Sequence, residues 1–209
     1  MELLSQVHSF NVNLYTRELY LHSHFGAGEE EPGVEYRMAT SFVKNLHILE
    51  QQSNKPILIH MHTIGGEWGD GMAVFDAIKA CRVPITILAY AQASSMSGII
   101  LQAAQRRVLM PNCDFLVHFG TIGIDGDSIA AKSVIDYNHG LHDVMLNIFA
   151  ERAKDRFTGL SIEDIKDKFS KRISQSIDWF LSATDAVDHG LADGILGTQG
   201  YENIAKLRR

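Results

Sequence analysis

Apolar and polar positions along the chain alternate between two periods. Pro56-Ile57-Leu58-Ile59-His60-Met61 is a short apolar run closed by Gly65-Gly66, which predicts a buried strand and a turn. From Gly71 to Ala80 the period lengthens: Met72, Phe75 and Ile78 are three apart and Val74 is four before Ile78, as on one face of a helix. Ile85 to Tyr90 predicts a second strand, Gln92 to Ser95 a turn, and Ser97 to Gln105 a buried helix. Arg107 to Met110 and Phe115 to Phe119 predict two further strands around the Pro111-Asn112 turn. Strands alternating with helices imply parallel pairing through crossover helices, an α/β fold.

A longer helix is predicted over Asp127 to Arg152, with Val134, Leu141, Met145, Ile148 and Phe149 in one stripe. At about seven turns it is roughly twice the mean helix length, so part of it is expected to project and meet another subunit. Ser161-Ile162-Glu163-Asp164 resembles a capping box that starts the next helix. The charged end Lys206-Leu207-Arg208-Arg209 is expected to fray.

Composition narrows the class. The 209 residues are 45% hydrophobic and 21% charged, which fits one packed domain over 1–209 and excludes a disordered or low-complexity chain. A net charge of −6 and the lack of a basic run argue against nucleic acid as a partner. Val83 to Gln105 carries no charge, but Pro84 opens it and Gln92, Ser94, Ser95, Ser97, Gln102 and Gln105 interrupt it, so no membrane span is expected. The first residues lack the basic and apolar regions of an export signal. Cys81 and Cys113 form no CxxC pair and sit beside apolar stretches, as free thiols do. A cytoplasmic location is the expectation from both.

Three residues carry the candidate chemistry. Ser95 follows a strand and precedes a helix, where a nucleophile is presented beside backbone amides; Ser94, Ser95 and Ser97 would equally serve as helix caps. In Phe115-Leu116-Val117-His118-Phe119, alternation puts His118 on the face opposite Phe115, Val117 and Phe119. Asp178 stands inside an apolar run, Ile177 before it and Trp179-Phe180-Leu181 after, where a buried carboxylate needs a partner; a helix-capping aspartate is the alternative. A serine activated by a histidine that an aspartate orients would unite the three, in the order Ser, His, Asp.

These segments resemble the proteolytic subunit of the Clp protease, ClpP. Gln92-Ala93-Ser94-Ser95-Met96 resembles its Gln-Ala-Ala-Ser-Met nucleophile turn, Pro111-Asn112 with Val117-His118 its histidine segment, and Asp178 with Phe180-Leu181-Ser182-Ala183, Ala186, Gly190-Leu191 and Asp193 its aspartate segment. Gly65-Gly66 followed by Gly71-Met72-Ala73-Val74-Phe75-Asp76 resembles its oxyanion turn and next helix. The resemblance implies a ClpP/crotonase-like fold of repeated β-β-α units with a long protruding handle helix. It implies a serine endopeptidase acting on unfolded polypeptide, with Ser95, His118 and Asp178 catalytic and the amides of Gly65 or Gly66 and of Met96 as oxyanion donors. It further implies a homo-oligomer of stacked, heptameric rings and an AAA+ unfoldase partner. That partner alone would use ATP: no Gly-Lys-Ser/Thr follows the glycines, and no cofactor is expected in this chain.

The chain departs from the family pattern in places. It has His62-Thr63-Ile64 before Gly65-Gly66, Leu58-Ile59-His60-Met61 where aromatic residues help form the unfoldase pocket, Phe119-Gly120 after the histidine, and Ser176-Ile177 in place of an acid-Arg pair. Asp164 to Ile177 is also several residues longer than the family segment. A regulatory ring subunit without activity, a phage-type processing peptidase and a crotonase-like acyl-CoA enzyme are the competing readings.

His60-x-His62 and His139-x-x-His142 each place two imidazoles on one face, without a third ligand at fixed spacing. Solvated or hydrogen-bonded histidines are expected, and a solvated loop at Glu29-Glu30-Glu31-Pro32-Gly33. Trp68 fits either a groove wall or the core.

Overall fold

A computed structural model describes residues 2–22 and 33–208; residues 29–32 of the acidic run lie outside them. The elements are α1 (Leu3–Phe10), β1 (Val12–Asn13), β2 (Glu18–Leu21), α2 (Tyr36–Gln52), β3 (Ile57–Thr63), α3 (Trp68–Ala80), β4 (Ile85–Ser94), α4 (Met96–Leu101), β5 (Arg106–Leu109) and β6 (Asp114–His118). After them come α5 (Ser128–Ala153), a 3₁₀ turn (Lys154–Arg156), α6 (Ile162–Ser176), β7 (Asp178–Leu181), α7 (Ala183–Asp188), β8 (Gly194–Ile195) and α8 (Ile204–Leu207). Strands β2, β3, β4, β5 and β8 run parallel in that order, as the alternation of strand and helix predicts, and β1 pairs antiparallel at one edge.

The strand β4 forks the sheet. Its first half, Thr86 to Ala89, pairs with β5, whereas Gln92 to Ser94 pairs with β6. Those residues were expected to form a turn; instead β6 supplies a second set of ladder partners that keeps them extended, so the strand reaches Ser94. Antiparallel to β6 lies β7, with His118 opposite Asp178.

The main core fills one face of the sheet, where Leu21, Ile57, Ile59, Ile87 and Phe115 meet Leu46, Val74, Ile78, Phe149 and Phe169 from the helices. A smaller core on the other face joins Leu58, Leu88 and Val108 to Leu207. Leu207 and Arg208 are therefore docked rather than frayed, and Arg209 lies outside the described residues. Leu207 is fully buried, and Arg208 pairs with the buried Glu18. Burial by itself raises the Glu18 carboxyl, but the nearby His60 imidazole and a hydrogen bond from Arg208 outweigh it and hold the pKa at about 2.

Ser161 and Asp164 form the capping box that the sequence predicts at the start of α6. In α5 the buried residues, Met145, Leu146, Phe149, Ala150 and Ala153, all lie in the second half; the first half stands clear with Ile129 80% and Tyr137 65% exposed. Both cysteines are free, and burial pushes the Cys113 thiol up to about 12. Among the described residues no helix is long and apolar enough to cross a membrane.

Candidate active site

The fork in β4 ends at Ser95. Its amide donates to the Leu116 carbonyl of β6, 3.0 Å away, so the serine is tied to the strand that carries His118. Ser95 has φ 54° and ψ −126°, a conformation that strains any residue with a Cβ and lifts the side chain out of the strand-to-helix bend. Its hydroxyl makes no capping bond to α4. It lies 2.8 Å from His118 Nε2 instead, and His118 Nδ1 lies 3.1 Å from Asp178 Oδ1.

The three residues anticipated from sequence thus form one hydrogen-bonded line. One expectation needs correction: the Asp178 side chain is 45% exposed, not buried. The cause is the period of the edge strand β7, which turns Trp179 and Leu181 inward and leaves Asp178 and Phe180 facing out.

Gly65 and Gly66 close the other side. They have φ of +104° and +145°, and a Cβ on Gly65 would stand 2.7 Å from the Ser94 carbonyl oxygen and 2.8 Å from Ser95 Cβ. Only glycine permits that approach. The Gly65 carbonyl accepts from the Val34 amide, and the Glu67 amide donates to the Val34 carbonyl at 2.9 Å. In a trans peptide N–H and C=O point opposite ways, so the Gly66 N–H faces away from Val34. Gly66, Ser95 and Met96 line a common groove of about 460 Å³.

Trp68, Ile99, Phe119, Leu141 and Met145 supply the groove's apolar lining, with Glu67, Asn138 and His142 as polar groups beside them. Trp68 therefore belongs to the groove while also packing on the core. Sequence inspection had paired His142 with His139. In the fold, its Nε2–H donates to the Phe119 carbonyl at 2.9 Å, and desolvation lowers its pKa. Periodicity carries no signal for this contact between a helix and the residue after a strand.

His60 stacks on Tyr20 and lies 2.7 Å from the Tyr90 hydroxyl, whereas His62 is exposed. Among the described residues no group of three or more His, Cys, Asp or Glu gathers as a metal site would require.

Sequence comparison adds to this geometry. A model of the Clp protease family matches residues 30–199. The chain belongs to the Clp protease family. The ATP-dependent Clp protease proteolytic subunit of Deinococcus radiodurans is 26% identical over 170 residues, covering 78% of this chain and 76% of that relative. The matched region holds the fork in the sheet, the groove and the long helix, so this member of the Clp protease family is a ClpP-like α/β protein and a ClpP-like peptidase by family.

Proposed function

We propose that the chain is a serine endopeptidase that hydrolyses peptide bonds of unfolded polypeptide. One observation carries the reading: Ser95, on a strained bend, is linked to His118 at 2.8 Å and His118 to Asp178 at 3.1 Å, with Ser95 and His118 lining the groove. Ser95 Oγ attacks the scissile carbonyl carbon as its proton moves to His118 Nε2. Asp178 accepts from Nδ1–H, holds the useful tautomer and stabilises the imidazolium. The N–H groups of Met96 and of the Gly65-Gly66 turn receive the charge on the carbonyl oxygen. His118 then protonates the leaving amine, and water releases the acyl group by the same steps in reverse order.

No cofactor enters these steps, and ATP would be used by a separate AAA+ unfoldase. The exposed apolar side chains Ile129, Ile135 and Tyr137 on the first half of α5 support assembly of identical subunits into stacked rings, heptameric by family resemblance, around a closed chamber. Two free thiols suit a cytoplasmic location. A housekeeping and a phage-type processing role share this chemistry.

Intact mass after fluorophosphonate treatment tests the reading. One adduct on the wild type and none on Ser95→Ala is expected, together with peptide cleavage by the wild type alone. An assembled wild type that neither labels nor cleaves would move the regulatory-subunit reading ahead.

A further inference from the structure

The two proposed oxyanion donors sit on separate pieces of chain: Gly66 beyond the end of β3, and Met96 beyond the end of β4. The β3–β4 ladder does not hold them in register, because it shifts between Met61 and Thr63 and ends at the Thr63–Ala93 pair. One side chain bridges the gap. The hydroxyl of Ser97, fully buried, lies 3.0 Å from the Thr63 carbonyl oxygen and 2.7 Å from the Ser94 carbonyl oxygen. A hydroxyl has a single proton, so this is one three-centre bond shared between the two segments. Thr63 Oγ1 in turn reaches the Gly65 carbonyl at 3.4 Å, in the same peptide that carries the Gly66 N–H.

We propose that Ser97 is a positioning residue that sets the separation between the Gly66 and Met96 amides. It touches neither the reacting atoms nor the groove, whose wall includes Met96 and Ile99 but not Ser97. Its hydroxyl fastens the oxyanion loop to the bend that presents Ser95. Losing that tie leaves the Thr63 and Ser94 carbonyls short of one donor and frees the loop to drift, and a displacement near 1 Å at such a site lowers turnover about 100-fold.

The inference rests on the peptidase reading, and the test separates the two. Ser97→Ala is compared with wild type in the full chain, with active sites counted by fluorophosphonate labelling driven to completion, so that loss of folded protein lowers the count and not the turnover per site. Per labelled site, kcat is expected to fall about 10- to 100-fold with KM within about twofold. Affinity for a peptide boronate, whose tetrahedral adduct places an oxygen between the two amides, should fall in parallel, while the midpoint of the pH–rate profile stays in place. Turnover per labelled site within about twofold of wild type, or a loss carried by KM alone, would overturn the assignment. Wild-type protein that fails to label or cleave would instead overturn the peptidase reading, and the role of Ser97 with it.

Discussion

His118 and Asp178 are register partners across the antiparallel β6–β7 pair, so backbone pairing brings their side chains to one face and Nδ1 to 3.1 Å from Oδ1. In the proposed mechanism the carboxylate, half-exposed, orients the imidazole and supplies charge. Asp178→Asn is expected to lower kcat about 10²- to 10⁴-fold by favouring the wrong tautomer, and His118→Ala to bring peptide turnover near that of Ser95→Ala. Steady-state peptide cleavage by the folded, unlabelled variants checks both.

The Gly65 site predicts a separation of activity from folding. A methyl group there meets the Ser94 carbonyl oxygen and Ser95 Cβ at less than 3 Å, at a φ that side chains rarely adopt. Gly65→Ala should abolish measurable hydrolysis and lower stability by about 1–3 kcal/mol. Circular dichroism melting alongside the peptide assay distinguishes this from general unfolding.

Ile177, next to Asp178, has φ 64° and ψ −61° and is 80% exposed. A β-branched side chain is strained there and recovers little by burial. Ile177→Gly is expected to raise Tm by a few degrees in the isolated chain, the relieved strain exceeding the added entropy of the unfolded chain by about 1 kcal/mol. A lower Tm of the isolated chain in a thermal scan would overturn the strain argument.

Arg208 clamps α8 to the sheet through Glu18. The Glu18 pKa is held at about 2 in the fold, below its ordinary value near 4.5, so the pair adds stability above that ordinary value and loses it as pH falls from about 4.5 towards 2. Arg208→Ala should destabilise by about 1–2 kcal/mol at pH 7, since the arginine is partly exposed, and the gap from wild type should close towards pH 3. Urea midpoints at pH 7, 4 and 3 measure it.

The buried Arg107 donates to Gln102 Oε1, the Gly190 carbonyl and both carboxylate oxygens of Asp193. Asp193→Ala strands that guanidinium and should lower stability by about 3 kcal/mol, read as a shift in the urea midpoint with an unchanged slope.

Much of the scaffold was legible because its signals are local. The strand at Ile57, the helices at Gly71 and Ser161, and the long helix after Asp127 each follow from periods or caps within a few residues, and the structure has all four. The β4 strand was read too short because the partners that keep Gln92 to Ser94 extended come from β6, about 20 residues later. The docked tail was missed because Leu207 is one apolar residue among charges, and its burial depends on Leu58, Leu88 and Val108 from three distant strands. Burial of Asp178 was expected from its apolar neighbours, but on an edge strand alternate residues face outward whatever flanks them.

By itself the sequence determined the alternation of strands and helices, the order of Ser95, His118 and Asp178, and the glycine pair that a close backbone approach requires. The tertiary structure alone decided that the three meet, across separations of 23 and 60 residues, and that Ser97 turns inward to tie Thr63 to Ser94. The reason is one of range: helix and strand periods are set by neighbours a few positions apart. The register of β4, β6 and β7 is set by the simultaneous packing of the whole core, and that register places the side chains to within a hydrogen bond.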